Sequence, residues 1–197
     1  RHHLVEMMDV RFLVQTGTPS EQKRSKLTSD YLDYSLSNLS KDELINLLLL
    51  NPAITIGVDN QFSGFHFNEI PLFPLANLVF TRDQQISTPR GVVIGNFHDR
   101  QRKPENRLMR IVWKQLGIEP IGYIEAPGTL EGGDFIAAGP DLAMLGIGLR
   151  TNFAAAKQLM EKDLVGTNRF LVVEDRVDLD QQRMHLDTYF NVVSEKL

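Results

Sequence analysis

The sequence predicts a protein of the α/β class. From Leu78 onward, short apolar runs alternate with amphipathic helical segments, and this alternation is typical of folds that mix strands and helices. The chain has 197 residues, of which 42% are hydrophobic and 23% are charged. These fractions are typical of a globular protein with a buried core, and the length predicts one large domain spanning residues 1–197.

The N-terminal part contains one well-marked helix, within a segment of helical pattern at residues 28–52. Ser40 and Glu43 form the S-x-x-E pattern of a capping box directly before the apolar run Leu44–Leu50. The helix is expected to end before Pro52, because the residue before a proline avoids the α region. Residues 57–76 are rich in Gly, Asn and Pro and are predicted to be loop.

Two further helices are predicted in the second half of the chain. Glu105–Leu116 ends at Gly117, a typical helix cap, and Asn152–Leu164 follows later. The residues expected to face the core are Leu108, Ile111, Val112 and Leu116 in the first, and Ala156, Leu159, Met160 and Leu164 in the second. Short strands are predicted at 11–14, 78–80, 91–95, 118–124, 135–138, 142–146, 170–173 and 185–193.

Charge and composition exclude several function classes. The chain has 21 Lys and Arg residues against 25 Asp and Glu residues, and this acidic balance argues against nucleic-acid binding, which needs a cationic surface. We accordingly interpret the basic stretch 98–110 as a solvated face. The apolar run Leu47–Leu50 is too short to span a bilayer, and the first residues lack an apolar signal core. We therefore expect a soluble, cytoplasmic protein that binds neither a membrane nor a nucleic acid.

The sequence contains no cysteine. Disulfides, cysteine-ligated metals and a cysteine nucleophile are therefore excluded within these residues. His2 and His3 have no matching third ligand. We predict no metal site and no cofactor.

Two polar clusters follow apolar runs. Asn77–Asp83 would lie at the carboxyl end of a strand, where α/β proteins often place sites, although a salt-bridged strand end has the same pattern. Glu131–Asp134 has two glycines between two carboxylates, which allows close approach of the backbone to a ligand or an ordinary hairpin turn.

Two more clusters contain an arginine and a histidine. Arg150 follows a glycine-rich bend just before a helix, a position that suits the capture of a carboxylate, whereas a nucleotide loop is only weakly supported. His185 and Asp187 would share one face of a strand, because side chains alternate along strands. That placement suits a general acid and base beside an anionic binding group, with a structural histidine as the alternative.

These clusters, in this order, resemble the arginine deiminases, which belong to the pentein group of guanidine-processing enzymes. The resemblance extends from Phe73 to Leu197, and residues 1–72 look like the helical insertion that precedes the first motif in that family. The matching text is Asn77 to Asp83, Arg102 with Glu105, Glu131 to Asp134, Gly146 to Arg150, and Met184 to Asp187.

The resemblance implies part of an α/β propeller built from ββαβ modules, with a helical insertion at 28–52. It implies hydrolysis of L-arginine to L-citrulline and ammonia, in which a cysteine near the C-terminus attacks the guanidinium carbon. The implied roles are guanidinium binding by Asp83 and Asp187, acid–base catalysis by His185, orientation of His185 or contact with substrate by Glu131, and binding of the substrate carboxylate by Arg102 and Arg150 with help from Asn77.

Two features depart from the family pattern. Gln84 and Gln85 follow Asp83 where Pro-Phe is common in bacterial members. The nucleophilic cysteine is missing, and we expect it beyond Leu197, in a longer protein of which this domain is an incomplete part. The alternatives are agmatine deiminase, dimethylarginine dimethylaminohydrolase or amidinotransferase of the same fold, and a non-catalytic arginine-binding domain. The sequence leaves the oligomeric state open, a homo-oligomer included.

Overall fold

The fold is described from a computed structural model. The described residues are 13–15, 34, 37–51, 55–58, 65–67, 72–75, 77–177 and 180–194. The chain divides into two compact units, Arg1–Ala76 and Asn77–Leu197. Among the described residues, no helix is long and apolar enough to cross a membrane.

The first unit contains a three-stranded sheet. Strand β1 (Leu13–Gln15) runs parallel to β2 (Thr55–Val58), and β2 pairs in antiparallel fashion with β3 (Phe65–Phe67). The prediction of loop over 57–76 was therefore wrong where β2 and β3 lie. These strands are only three or four residues long, and the Gly and Asn residues around them masked their pattern. Residues 11 and 12 of the predicted first strand lie outside the described residues.

Helix α1 (Lys41–Leu50) confirms the predicted helix and its capping box. The Ser40 hydroxyl accepts the N–H of Glu43 at 3.3 Å, and the Glu43 carboxylate accepts the N–H of Ser40 at 2.8 Å. Asn51 ends the helix in the left-handed conformation. Residues 28–33, 35–36 and 52 lie outside the described residues, so the extent of the helical insertion stays a prediction.

The second unit begins with the order strand, strand, helix, strand. Strands β4 (Gln85–Thr88) and β5 (Gly91–Ile94) are antiparallel, helix α2 (Lys103–Gln115) follows, and β6 (Gly122–Tyr123) returns parallel to β5. The sequence did not predict β4. Gly117 has φ +75°, as expected of the cap that ends α2.

The same order is then repeated along the chain. Strands β7 (Phe135–Gly139) and β8 (Leu142–Ile147) are antiparallel, helix α3 (Phe153–Glu161) follows, and β9 (Arg169–Glu174) lies parallel to β8. The α/β class is thereby confirmed. The arrangement of such modules in a propeller stays a prediction.

The main core of the second unit lies between the two repeats. Leu145 of β8 and Leu159 of α3 are fully buried there, and Leu164 after α3 is nearly so. Met160, predicted to face this core, is 48% exposed. That prediction was wrong by one position of the helix, because Leu159 already occupies the inward face.

Helix α2 has its predicted orientation only in part, since Val112 packs against buried core residues as expected but other positions differ. Leu116 was expected in the core and is 64% exposed, whereas Glu105, Asn106 and Met109 are buried. The helix therefore turns a polar patch of its first turn inward. Periodicity in apolar residues could not predict this, because two of the inward residues are polar.

Two predicted strands are turns in the structure. Leu78–Phe80 lies in a turn closed by hydrogen bonds from the Phe80 N–H to Asn77 O and from the Asp83 N–H to Phe80 O. His185–Val193 contains a 3₁₀ turn at Leu186–Thr188 and no strand. The N–H of Phe190 bonds back to Leu186 O at 2.9 Å, and this local bond replaces the ladder that the alternating pattern predicted.

Candidate active site

A cavity of about 610 Å³ lies where the 77–84 turns, the start of α2 and the 180–188 turns meet. Its walls contain nearly all of the residues that the sequence singled out. Glu131 does not line the cavity but contacts His185, which does. The predicted residues on the walls are Asn77, Asp83, Arg102, Arg150, His185 and Asp187.

The segment from Glu131 to Asp134 is a tight 3₁₀ turn that leads into β7. The Gly132 N–H donates to Asp83 O at 3.0 Å, so the turn is fastened to the segment that carries Asp83. A Cβ at Gly133 would lie 2.5 Å from Nδ1 of His185. The second glycine is therefore needed because the imidazole packs directly against the backbone.

His185 is held by a buried carboxylate. Its Nε2 lies 2.9 Å from Oε2 of Glu131, which is fully buried, and its Nδ1 lies 4.0 Å from Oδ1 of Asp83. Burial by itself would lower the pKa of His185, but the hydrogen bond to Glu131 and the nearby charges of Asp134, Asp83 and Glu131 raise it. The imidazole is therefore biased toward its protonated form, from which it can donate a proton.

Arg102 and Asp83 form a buried ion pair. Arg102 Nη1 lies 2.9 Å from Oδ2 of Asp83, while its Nε and Nη2 donate to both carboxylate oxygens of Glu105 at 3.0 and 2.9 Å. The guanidinium also lies 4.1 Å above the centre of the Phe97 ring. Burial opposes the charge, yet the hydrogen bonds to Glu105 and Asp83 raise the pKa of Arg102.

Gln84, one of the two residues that depart from the family pattern, contacts the buried ion pair of Arg102 and Glu105. It is fully buried, and its Nε2 donates to Oε2 of Glu105 at 2.7 Å. Asn106 completes the link, because its Nδ2 donates to Gln84 O and its Oδ1 accepts the Phe97 N–H. The glutamine thus helps to hold the carboxylate that orients Arg102. In the sequence, the i, i+3 spacing of Arg102 and Glu105 was the feature that indicated this pairing.

Arg150 and Asp187 have less crowded surroundings. Arg150 is half-buried, and its Nη2 donates to Oε1 of Gln181 at 2.9 Å. Its Nε is buried without a hydrogen-bond partner among the described residues. Asp187 is 3.4 Å from Nε of Arg82, and its side chain is 31% exposed.

The structure corrects the reason given for placing His185 beside Asp187. The two residues lie in a turn, not on one face of a strand, yet both line the same cavity. The sequence also overlooked Asp134, which is buried and accepts the Leu186 N–H on Oδ1 at 2.9 Å. Its position directly after Glu131, Gly132 and Gly133 was the sequence feature that could have indicated a role for it.

The chemistry of the cavity follows from these groups. Carboxylates can hold a planar cation, an arginine can hold an anion, and a buried imidazole can give and take a proton. Within the described residues, no group of three or more His, Cys, Asp or Glu side chains is arranged to hold a metal ion. A small molecule with a cationic group and an anionic group fits this set.

Comparison with known proteins points to one family. A family model described as arginine deiminase matches residues 5–197. Arginine deiminases of Staphylococcus aureus strains JH9 and Newman are 25% identical to this chain over an alignment of 224 residues. The alignment covers 98% of this chain and 53% of each relative. The chain thus spans about half the length of these curated relatives.

One solved structure shows a similar fold, and a second is a weaker match. The N-terminal domain of ArgZ, a cyanobacterial arginine dihydrolase solved with its product, has a TM-score of 0.50 at 18% identity, covering 89% of this chain and 54% of that one. A dimethylarginine dimethylaminohydrolase from Pseudomonas aeruginosa, complexed with citrulline, has a TM-score of 0.45 at 22% identity, covering 89% and 59%.

Proposed function

Because this chain belongs to the arginine deiminase family, we propose that it supplies the guanidine-binding and acid–base groups of an enzyme that hydrolyses L-arginine to L-citrulline and ammonia. The observation that carries the proposal is the 2.9 Å contact between His185 and the fully buried Glu131, beside a cavity that Asp83 and Asp187 also line. An imidazole held in this way can act on a cation bound by the two aspartates.

Asp83 and Asp187 are proposed to bind the substrate guanidinium. Each of them already contacts a guanidinium of the protein itself, Asp83 that of Arg102 and Asp187 that of Arg82. A substrate guanidinium offers the same planar set of N–H donors, so it can replace or share these contacts.

Arg150 and Arg102 are proposed to bind the substrate carboxylate, with Asn77 helping to position it. Arg150 Nε is a buried donor without a partner among the described residues, and a carboxylate in the cavity would satisfy it. Arg102 uses three of its N–H groups on Asp83 and Glu105, and two of its five donors remain for another acceptor.

The proposed reaction uses His185 twice. A thiolate attacks the guanidinium carbon, His185 protonates the leaving nitrogen, and ammonia departs to leave an amidino thioether. A water molecule then gives a proton to His185 and adds to the same carbon, and the C–S bond breaks to release citrulline. Since the 197 residues contain no cysteine, the thiolate is proposed to come from a segment outside them.

Calorimetric titration of this protein with L-arginine tests the binding half of the proposal. Arginine is expected to bind, and Asp187→Asn is expected to weaken binding because one carboxylate partner of the guanidinium is lost. The matched control is Asp141→Asn, which changes an exposed aspartate paired with Arg169 and should leave affinity unchanged. Failure of arginine to bind the unmodified protein would refute the proposal.

Citrulline assays test the catalytic half. The 197-residue chain is expected to form no citrulline above background, whereas the full-length gene product is expected to form it and to lose activity on thiol alkylation. Turnover by the 197 residues alone would contradict the requirement for a thiolate.

A second candidate function is a non-catalytic arginine-binding domain. The two candidates predict the same binding of arginine but opposite results for the full-length product. Arginine binding without citrulline formation by that product would favour the binding domain.

A further inference from the structure

Asp134 is a buried carboxylate that the proposed reaction does not use. It is 4% exposed and follows the two glycines of the Glu131 turn. Its Oδ1 accepts the N–H of Leu186 at 2.9 Å, and Leu186 is the residue directly after His185. Burial of a carboxylate is costly, so the retention of Asp134 needs a reason.

One four-residue turn holds His185 at three points. Glu131 contacts Nε2 of the imidazole, the backbone at Gly133 packs against the ring, and Asp134 bonds the backbone just beyond it. Glu131 contacts the imidazole ring, and Asp134 contacts the backbone N–H of the next residue, Leu186. The turn therefore restricts both the ring of His185 and the backbone next to it.

We propose that Asp134 is a positioning residue for His185, which fixes the backbone after the histidine and adds a second buried negative charge beside its ring. The inference rests on the proposed function, in which His185 is the acid and base. Asp134 acts through His185 and is not required to touch the substrate.

The charges around His185 come from several elements. Glu131 and Asp134 belong to the turn before β7, Asp83 ends the 77–83 turns, and Arg102 at the start of α2 contacts Asp83 and lies 3.8 Å from Glu131. Asp175 and Arg183 line a small cavity together with His185 and Asp134.

The electrostatics of the two groups support the assignment. The negative charge of Asp134 is one of the factors that raise the pKa of His185. Burial raises the pKa of Asp134 itself to about 6. The hydrogen bond with Thr151, the charge of His185 and the hydrogen bond from the Leu186 N–H act in the opposite direction and lower this pKa. The carboxylate is therefore expected to be charged at neutral pH and to help keep the imidazole protonated there.

The test is an NMR titration of the His185 ring in the 197-residue protein. Asp134→Asn keeps an oxygen that can accept the Leu186 N–H but removes the charge. It is expected to lower the pKa of His185 by about one unit. Asp141→Asn, an exposed control, should leave that pKa unchanged, and His185→Gln identifies the signal by its loss.

A second variant separates the backbone bond from the charge. Asp134→Leu removes both, so the Leu186 amide is expected to exchange faster with solvent in this variant than in Asp134→Asn. An unchanged His185 pKa in Asp134→Asn overturns the proposal, whether or not the leucine variant folds.

These outcomes are independent of substrate binding. If arginine fails to bind the unmodified protein while the His185 pKa still falls in Asp134→Asn, the proposed function fails and the positioning role stands. If arginine binds and the His185 pKa does not move, the positioning role alone fails.

Discussion

Replacing Arg150 with alanine is expected to weaken the binding of arginine and to leave the binding of agmatine nearly unchanged. Agmatine has the same guanidinium but no carboxylate, so it cannot use a carboxylate-binding arginine. Arg150 lines the cavity, and its buried Nε has no partner among the described residues. The remaining contact, from Nη2 to Gln181, fixes the guanidinium in place.

The magnitude follows from the bond that is lost. A charge-assisted hydrogen bond contributes about 1.5–3 kcal/mol, which corresponds to roughly a tenfold to hundredfold increase in Kd for arginine. The lower end is the better expectation, because Arg150 is only half-buried and water can partly replace it. Arg150→Lys is expected to restore part of the affinity, since an ammonium keeps the charge but cannot offer the planar fork.

Calorimetric titration of the unmodified protein and both variants with arginine and agmatine measures this difference. Arg169→Ala is the matched control, because Arg169 is an exposed arginine paired with Asp141 and does not line the cavity. Equal losses of affinity for arginine and agmatine would refute the reasoning. Arg150 would then stabilise the fold of the site instead of binding the substrate carboxylate.

Three further perturbations have defined outcomes. Glu131→Gln is expected to lower the pKa of His185 by about one to two units, as followed by NMR. Because the folded-state pKa of His185 is raised above 6.5, the pair's contribution to the free energy of unfolding is fully present below pH 6.5 and is lost as the pH rises through the folded-state value. Urea unfolding across this range should show that dependence reduced in the variant, and an unchanged profile would contradict the assignment. Gly133→Ala places a methyl group against Nδ1 of His185 and should reduce arginine affinity without altering the far-ultraviolet circular dichroism, whereas Gly139→Ala, where a Cβ meets nothing within 4 Å, should alter neither. Leu145→Ala, at a fully buried core position, should lower the free energy of unfolding by about 2–5 kcal/mol, and a loss equal to that of the exposed Leu171→Ala would show that the core is misassigned.

Helices α1, α2 and α3 could be predicted because a helix depends on neighbours three or four positions apart, although the ends of α2 and α3 differ from the prediction by one to three residues. The capping box of Ser40 and Glu43 and the cap at Gly117 were visible as local patterns. The central strands β5, β7, β8 and β9 were predicted for a similar reason, since each is an apolar run bounded by turn residues.

The segment after His185 shows where local pattern fails. Alternation of apolar and polar residues predicted a strand, but a strand also needs a partner with free backbone groups. In the structure, the Leu186 N–H is taken by Asp134 and Leu186 O is taken by the Phe190 N–H. One hydrogen bond to a side chain 52 residues away, together with a local backbone bond, therefore stabilises a turn in a segment whose own pattern favoured a strand.

The sequence by itself indicated the α/β class, the presence of helices α1, α2 and α3, and most of the charged residues that line the cavity. Only the tertiary structure decided how these residues act on one another: that Glu131 contacts His185 from 54 positions away, that Arg102 is already paired with Asp83, and that Asp134 bonds the chain beyond the histidine. The physical reason is that a residue type and its near neighbours set local conformation, whereas burial and the pairing of charges depend on which distant segments pack together.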